Sequence, residues 1–184
     1  MSEKITSDIF SFEDGNSDDK KLLGGKGAGL AKMTQLGLPV PPGFTITTLE
    51  CIKYYENNQR LSDELIRNTY SAMNILEQKT GSIFGSSKNP LLVSVRSGSA
   101  VSMPGMMDTV LNVGLNDKTV QGLIEQTGDP RFAYDAYRRF IQLFGKVVLH
   151  VSDDKFPKIS EENDATTEEL KKLVKKLKDI CRKE

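Results

Sequence analysis

The segment GGKGAGL places one lysine, Lys26, among four glycines. A glycine-rich backbone can approach a bound group closely and can present successive N–H donors to it. A helix that begins in such a segment adds the partial positive charge of its N-terminus, and Lys26 adds a full charge. The segment lacks the GxxxxGK[ST] pattern of P-loops and matches the GxGxxG dinucleotide fingerprint poorly. The pattern leaves two interpretations open, a site for a phosphate chain or a tight glycine turn with a solvated lysine.

A second candidate, Arg96, ends the apolar run PLLVSVR. The guanidinium group fits a phosphate by bidentate hydrogen bonding, and a structural ion pair with a carboxylate is the alternative. The following segment, SGSAVSMPGMMD, contains Pro104 and Gly105, which favour a shaped turn in a loop that could cover a ligand. Asp108 at its end could orient Lys26 or Arg96 or coordinate a metal, but the sequence favours a cap or surface role.

Composition excludes several classes of function. The chain has 25 Lys and Arg and 25 Asp and Glu, so its formal net charge is zero, which argues against nucleic acid as the main ligand. Cys51 and Cys181 lie far apart without CxxC spacing, which indicates reduced thiols. One histidine, His150, cannot form a Ser–His–Asp, Cys–His or multi-histidine metal site here. No signal peptide and no apolar run of about 18 residues occur, so we expect a cytoplasmic protein without a membrane partner.

Hydrophobic periodicity and turn signals predict an order of alternating strands and helices, followed by helices alone. Strands are predicted at residues 9–12, in the segment GFTITT and at 91–96, where the strand should be buried and central; MMDTVLNVGL is predicted to be a strand or an extended segment. Helices are predicted at 26–35, 49–56, 61–79, 119–127 and 129–150. A last helix is predicted to begin at a capping box formed by Thr166 and Glu169. The pattern favours an α+β fold with a mixed sheet of α/β type. It predicts two subdomains, 1–115 of mixed α/β structure and 116–184 of helices.

Three long segments resemble one known family. LLGGKGAGLAKMTQLGLPVPPGFTITT and SVRSGSAVSMPGMMDTVLNVGLND resemble the N-terminal part of pyruvate phosphate dikinases, and DPRFAYDAYRRFIQLFGKVVL resembles the segment that follows. The resemblance runs from Ile9 to about Leu149. Phosphoenolpyruvate synthases and glucan–water dikinases share the GGK, VPPGF and VRS elements but not SMPGMMDTVLN.

The resemblance implies a specific chemistry. The family converts ATP, phosphate and pyruvate to AMP, pyrophosphate and phosphoenolpyruvate with Mg²⁺. The resemblance also implies that residues 1–115 are the N-terminal half of an ATP-grasp-like domain in which Lys26 and Arg96 bind the ATP phosphates. Gly105 would lie in the loop over the nucleotide, and Arg139 would help to dock a swivelling phosphohistidine domain. The further partners implied are that domain, a pyruvate-binding barrel and a second copy in a homodimer.

The 184 residues contain no match to the phosphohistidine segment, to the catalytic cysteine of the barrel or to the acidic Mg²⁺ ligands of the family. We therefore expect the chain alone to be inactive as a dikinase. Two other interpretations stay open: a shortened paralogue that acts as a non-catalytic nucleotide-binding or docking module, and an α/β domain whose glycines are purely structural.

Overall fold

A computed structural model of the chain describes residues 8–98, 109–157 and 165–183. Helices and short strands follow one another along the chain. The strands are β1 (Ile9–Ser11), β2 (Phe44–Ile46), β3 (Ile83–Phe84), β4 (Pro90–Leu91), β5 (Val93–Arg96) and β6 (Thr109–Val113). The helices are α1 (Lys20–Gln35), α2 (Thr48–Glu56), α3 (Asp63–Thr80), α4 (Thr119–Thr127), α5 (Pro130–Val147) and α6 (Thr167–Cys181), with a 3₁₀ turn at Asp153–Lys155.

This content confirms the α+β class. The described strands do not join into one mixed sheet but form three separate pairs: β1 with β2 antiparallel, β3 with β4 parallel, and β5 with β6 antiparallel. No helix in the described part of the chain is long and apolar enough to cross a membrane.

The described residues fall into two compact units, 8–81 with 97–98, and 82–96 with 109–157 and 165–183. The second unit thus combines β3–β6 with the C-terminal helices. The division at residue 115 into a mixed and a helical subdomain stays a prediction.

In the first unit, β1 and β2 pair with Ile9 opposite Ile46 and Ser11 opposite Phe44. The apolar side chains below this ribbon form two small clusters. One contains Ile9, Leu65 and Ala72 with Phe44 against them, and the other contains Leu23, Ala28 and Ala31 with Phe10. The ribbon therefore packs on α1 and α3, which fixes β2 close to the glycine-rich part of α1.

The second unit is built on α5 and α6. Its core comprises Leu115, Val120, Leu123, Ala133, Ala136, Tyr137, Ile141, Val151, Phe156, Val174 and Leu177. Gly145 lets the helices and the 3₁₀ turn approach closely, since a Cβ there would lie 2.8 Å from Cζ of Phe156 and 2.9 Å from Sγ of Cys181.

The ends of these helices follow local sequence signals. Asp129 accepts a hydrogen bond from the amide of Phe132 at 2.9 Å, and Pro130 occupies the first helical position of α5. Thr166 and Glu169 form the predicted capping box of α6. The prediction for α4 is confirmed at both ends, whereas α5 ends at Val147, three residues before the predicted end.

The predicted buried strand over 91–96 is wrong in two respects. The run divides into β4 and β5, and the β5 side chains after Val93 are exposed, with Val95 at 53% exposure. A two-stranded ribbon has few neighbours to cover its faces, so an apolar sequence does not ensure burial there. The β5–β6 pairing also shifts register between Val93 and Val95, where Asn112 has a φ of 59°.

Candidate functional site

The glycine-rich segment forms a break inside α1. Gly24 has φ 70° and ψ 165°, which is non-helical and essentially restricted to glycine. The helix therefore consists of two segments, and the second restarts at Gly25. The prediction of a helix start near Lys26 matches this second segment but misses the first, which begins at Lys20. Asp19 explains the earlier start, because its carboxylate accepts the amide N–H of Leu22 at 2.9 Å.

Lys26 lies in the first turn of the restarted segment and is partly buried. The N–H groups of a first turn have no acceptor within their own segment, and they carry the partial positive charge of the helix end. Backbone N–H donors at a helix start and a nearby lysine are the groups that bind a phosphate at such a turn. The backbone break and the position of Lys26 in the sequence are therefore compatible with an anion site.

Two threonines contact α1, one on each side of the break: Thr45 lies in β2, and Thr48 is the first residue of α2. The Thr48 hydroxyl donates a hydrogen bond to the carbonyl of Lys21 at 2.5 Å. Thr45 lies so close to Gly27 that a Cβ added to Gly27 would be 2.8 Å from Cγ2 and 3.0 Å from Oγ1 of Thr45. Gly27 is thus needed for close packing of α1 on β2, which gives this glycine a structural role beside any ligand role.

Arg96 belongs to the second unit, at the end of β5, where it pairs with Thr109. Its side chain is exposed, and its Nε lies 3.5 Å from Oγ of Ser94. Within the described residues Arg96 forms no ion pair with a carboxylate. Gly105 and Asp108 lie outside the described residues. The roles of Lys26, Arg96 and Gly105 stay predictions.

Arg139 lies on the exposed side of α5, with 60% of its side chain accessible, and forms an ion pair with Asp135 at 2.8 Å. The neighbouring Arg138 differs, since its side chain is 12% exposed and is held by Asp135 and Gln142. One carboxylate therefore serves both arginines, and Arg139 keeps an accessible guanidinium group.

One polar cluster was not predicted from the sequence. Asp117 accepts a hydrogen bond from the buried Tyr137 hydroxyl at 3.1 Å and forms an ion pair with Lys178. The hydrogen bond from Lys178 lowers the pKa of Asp117, and burial raises the pKa of Tyr137. The cluster joins the start of α4 to α5 and α6. Its members are 20 and 61 residues apart, so no local pattern could reveal it.

The remaining candidate groups are one histidine and two cysteines. His150 is exposed just after α5 with a φ of 56°, and among the described residues Cys51 and Cys181 take part in no disulfide bond. In residues 8–98, 109–157 and 165–183, no group of three or more His, Cys, Asp or Glu side chains could hold a metal ion.

Comparison with known proteins identifies relatives of this chain. Residues 20–83 match the family described as "Pyruvate phosphate dikinase, AMP/ATP-binding domain". The chain is 55% identical over 153 residues to the pyruvate, phosphate dikinase of Entamoeba histolytica, which covers 83% of this chain. It is 47% identical over 182 residues to that of Clostridium symbiosum and 45% over 186 residues to the chloroplastic enzyme of Mesembryanthemum crystallinum, each covering 94% of this chain.

The chain is a homologue of the N-terminal part of pyruvate phosphate dikinases. The resemblance inferred from the motifs is thereby confirmed. The chain spans 17–21% of the length of these three dikinases. The family match begins at the first residue of α1 and includes the break and Lys26, whereas Arg96 lies beyond it.

Proposed function

We propose that this chain is an ATP-binding segment of a pyruvate phosphate dikinase and that Lys26 binds the phosphates of ATP. The observation that carries the proposal is the break at Gly24, inside the region that matches an AMP/ATP-binding domain. A lysine in the first turn after a helix break supplies both an ammonium group and nearby backbone N–H donors, as a phosphate chain requires.

Arg96 is the second proposed phosphate ligand. Its exposed guanidinium group has no carboxylate partner among the described residues, so it retains its capacity for bidentate hydrogen bonds to phosphate oxygens. Phosphoryl transfer depends mainly on alignment and on neutralising phosphate charge, which is the contribution that Lys26 and Arg96 would make. The loop with Gly105 is proposed to cover the nucleotide and to exclude water.

The complete reaction is a further proposal, because the relatives are about five times longer than this chain. We propose that the parent enzyme converts ATP, phosphate and pyruvate to AMP, pyrophosphate and phosphoenolpyruvate, and that these 184 residues alone do not complete it. Mg²⁺ would accompany ATP, and no described residue is assigned as its ligand. An ATP-grasp-like domain, docking of a phosphohistidine domain at Arg139, a homodimer and a cytoplasmic location stay predictions.

The proposal is tested by calorimetric titration of the chain with ATP and Mg²⁺. We expect Lys26→Ala and Arg96→Ala each to weaken binding roughly tenfold or more, since a charged hydrogen bond contributes about 1.5–3 kcal/mol. Lys32→Ala is the matched control, because Lys32 is an exposed lysine in the last turn of the same helix. Binding that is equal in all four proteins would refute the assignment. Inorganic tripolyphosphate should compete with ATP if the phosphates are what the chain recognises.

A further inference from the structure

Because α1 is broken at Gly24, the hydrogen bonds of the helix do not by themselves fix the direction of its second segment. A continuous helix fixes the orientation of each turn through its ladder of hydrogen bonds, but a glycine with a φ of 70° interrupts that ladder. Glycine also carries no side chain with which to hold the two segments at one angle. Contacts from elsewhere in the unit must therefore set where Lys26 lies.

The segment FTITT supplies two such contacts, one on each side of the break. Thr48 donates its hydroxyl hydrogen to the Lys21 carbonyl, three residues before Gly24. Thr45 packs against Gly27, three residues after it. The two threonines are three residues apart at the junction of β2 and α2, so they belong to one short, ordered stretch of backbone.

We propose that Thr45 and Thr48 are positioning residues for Lys26. Thr48 fixes the position of the first segment of α1 through its hydrogen bond to Lys21. Thr45 fixes the distance between the second segment and β2 through its contact with Gly27. Neither side chain needs to touch a ligand, because each acts through the backbone that carries Lys26. The inference rests on the proposed role of Lys26 in ATP binding.

The first test compares Thr48→Val with Thr48→Ser in the whole chain, by titration with ATP and Mg²⁺. Valine keeps the β-branched shape and removes the donor, whereas serine keeps the donor and removes a methyl group. Loss of one neutral hydrogen bond corresponds to about fivefold in affinity. Thr48→Val should bind ATP about fivefold more weakly, and Thr48→Ser should stay within twofold of the parent chain. Equal binding by the parent chain and Thr48→Val would overturn the role of Thr48.

The second test uses the close contact between Gly27 and Thr45. Gly27→Ala places a Cβ about 2.8 Å from Cγ2 of Thr45, so the second segment must shift, and ATP binding should weaken about tenfold or more. Adding Thr45→Ala removes both clashing atoms and should restore binding to within about threefold. If the double variant binds as weakly as Gly27→Ala, Thr45 does not position the segment.

A readout without ATP separates this inference from the proposed function. Amide hydrogen exchange at residues 25–27 should accelerate in Thr48→Val and not in Thr48→Ser, while exchange in α3 stays unchanged because the effect is local. If the parent chain and Lys26→Ala both fail to bind ATP, the proposed function fails, and this exchange decides the positioning role alone. Unchanged exchange at residues 25–27 in Thr48→Val would then overturn it.

Discussion

Gly145 of α5 lies against Phe156, which follows the 3₁₀ turn, and Cys181 of α6, and its replacement by alanine gives a sharp test of this packing. The added Cβ would lie 2.8 Å from Cζ of Phe156 and 2.9 Å from Sγ of Cys181, about 1 Å inside normal contact. Phe156 is 5% exposed and belongs to the core, so it cannot turn away into solvent.

The expected cost follows from two opposing effects. Overpacking of a close-packed core costs about 1–3 kcal/mol, and the exchange of glycine for alanine inside a helix contributes about 1 kcal/mol in favour of folding. Gly145→Ala should therefore lower the free energy of unfolding by up to about 2 kcal/mol, in place of the gain that an uncrowded helical glycine would give. For a unit of this size, each 1 kcal/mol corresponds to a fall in Tm of roughly 4–8 °C.

The assay is urea unfolding followed by circular dichroism, with amide hydrogen exchange in α5 to assign the change to the second unit. Gly29→Ala is the control, because a Cβ at Gly29 meets no atom within 4 Å and should stabilise its helix by up to about 1 kcal/mol. Removing the sulfur with Cys181→Ala should recover part of the loss in Gly145→Ala. An increase in stability for Gly145→Ala, of the size seen for Gly29→Ala, would refute the close packing.

Two further predictions concern charges and caps in the second unit. The pKa of Asp117 is lowered in the folded chain, so its ion pair with Lys178 stabilises the fold above the ordinary pKa of 3.8 and is lost as the pH falls through the folded value. Asp117→Asn keeps an acceptor for Tyr137 and should lower the free energy of unfolding in urea by about 0.2–1 kcal/mol at pH 7. The difference in stability between the parent chain and Asp117→Asn should shrink below about pH 4. A difference that does not change down to about pH 2 would contradict this. Thr166→Ala removes the acceptor for the Glu169 amide and should lower the free energy of unfolding by about 0.5–2 kcal/mol, whereas Thr166→Ser should change it little. Equal stability of the two variants in thermal unfolding would argue against the capping box.

Elements with local signals were predictable from the sequence. Asp129 and Thr166 cap the starts of α5 and α6, and Gly128 ends α4 in a left-handed conformation, so these ends have local signals and match their predicted bounds. The break in α1 was not predicted, because the same glycines are compatible with a loop, a turn or a kinked helix. Only the backbone angles at Gly24 distinguish these.

Long-range contacts account for the other differences. The exposure of Val95 depends on how many strands join β5, which an apolar run does not encode. The packing of Thr45 on Gly27 and the contact of Asp117 with Lys178 likewise join segments distant in the sequence. The sequence thus indicated the candidate phosphate-binding residue Lys26 but not the residues that hold its helix in place.

The most direct test of the central claim is an NMR titration of the ¹⁵N-labelled chain with ATP and Mg²⁺, in which each amide reports its own environment. We predict the largest chemical-shift changes at the amides of residues 24–28 and further changes near Arg96, with little change along α6. The changes at residues 24–28 should be lost in Lys26→Ala and retained in Lys32→Ala. ATP-induced changes confined to other segments, or none at millimolar ATP, would contradict the claim that this break in α1 binds the phosphates of ATP.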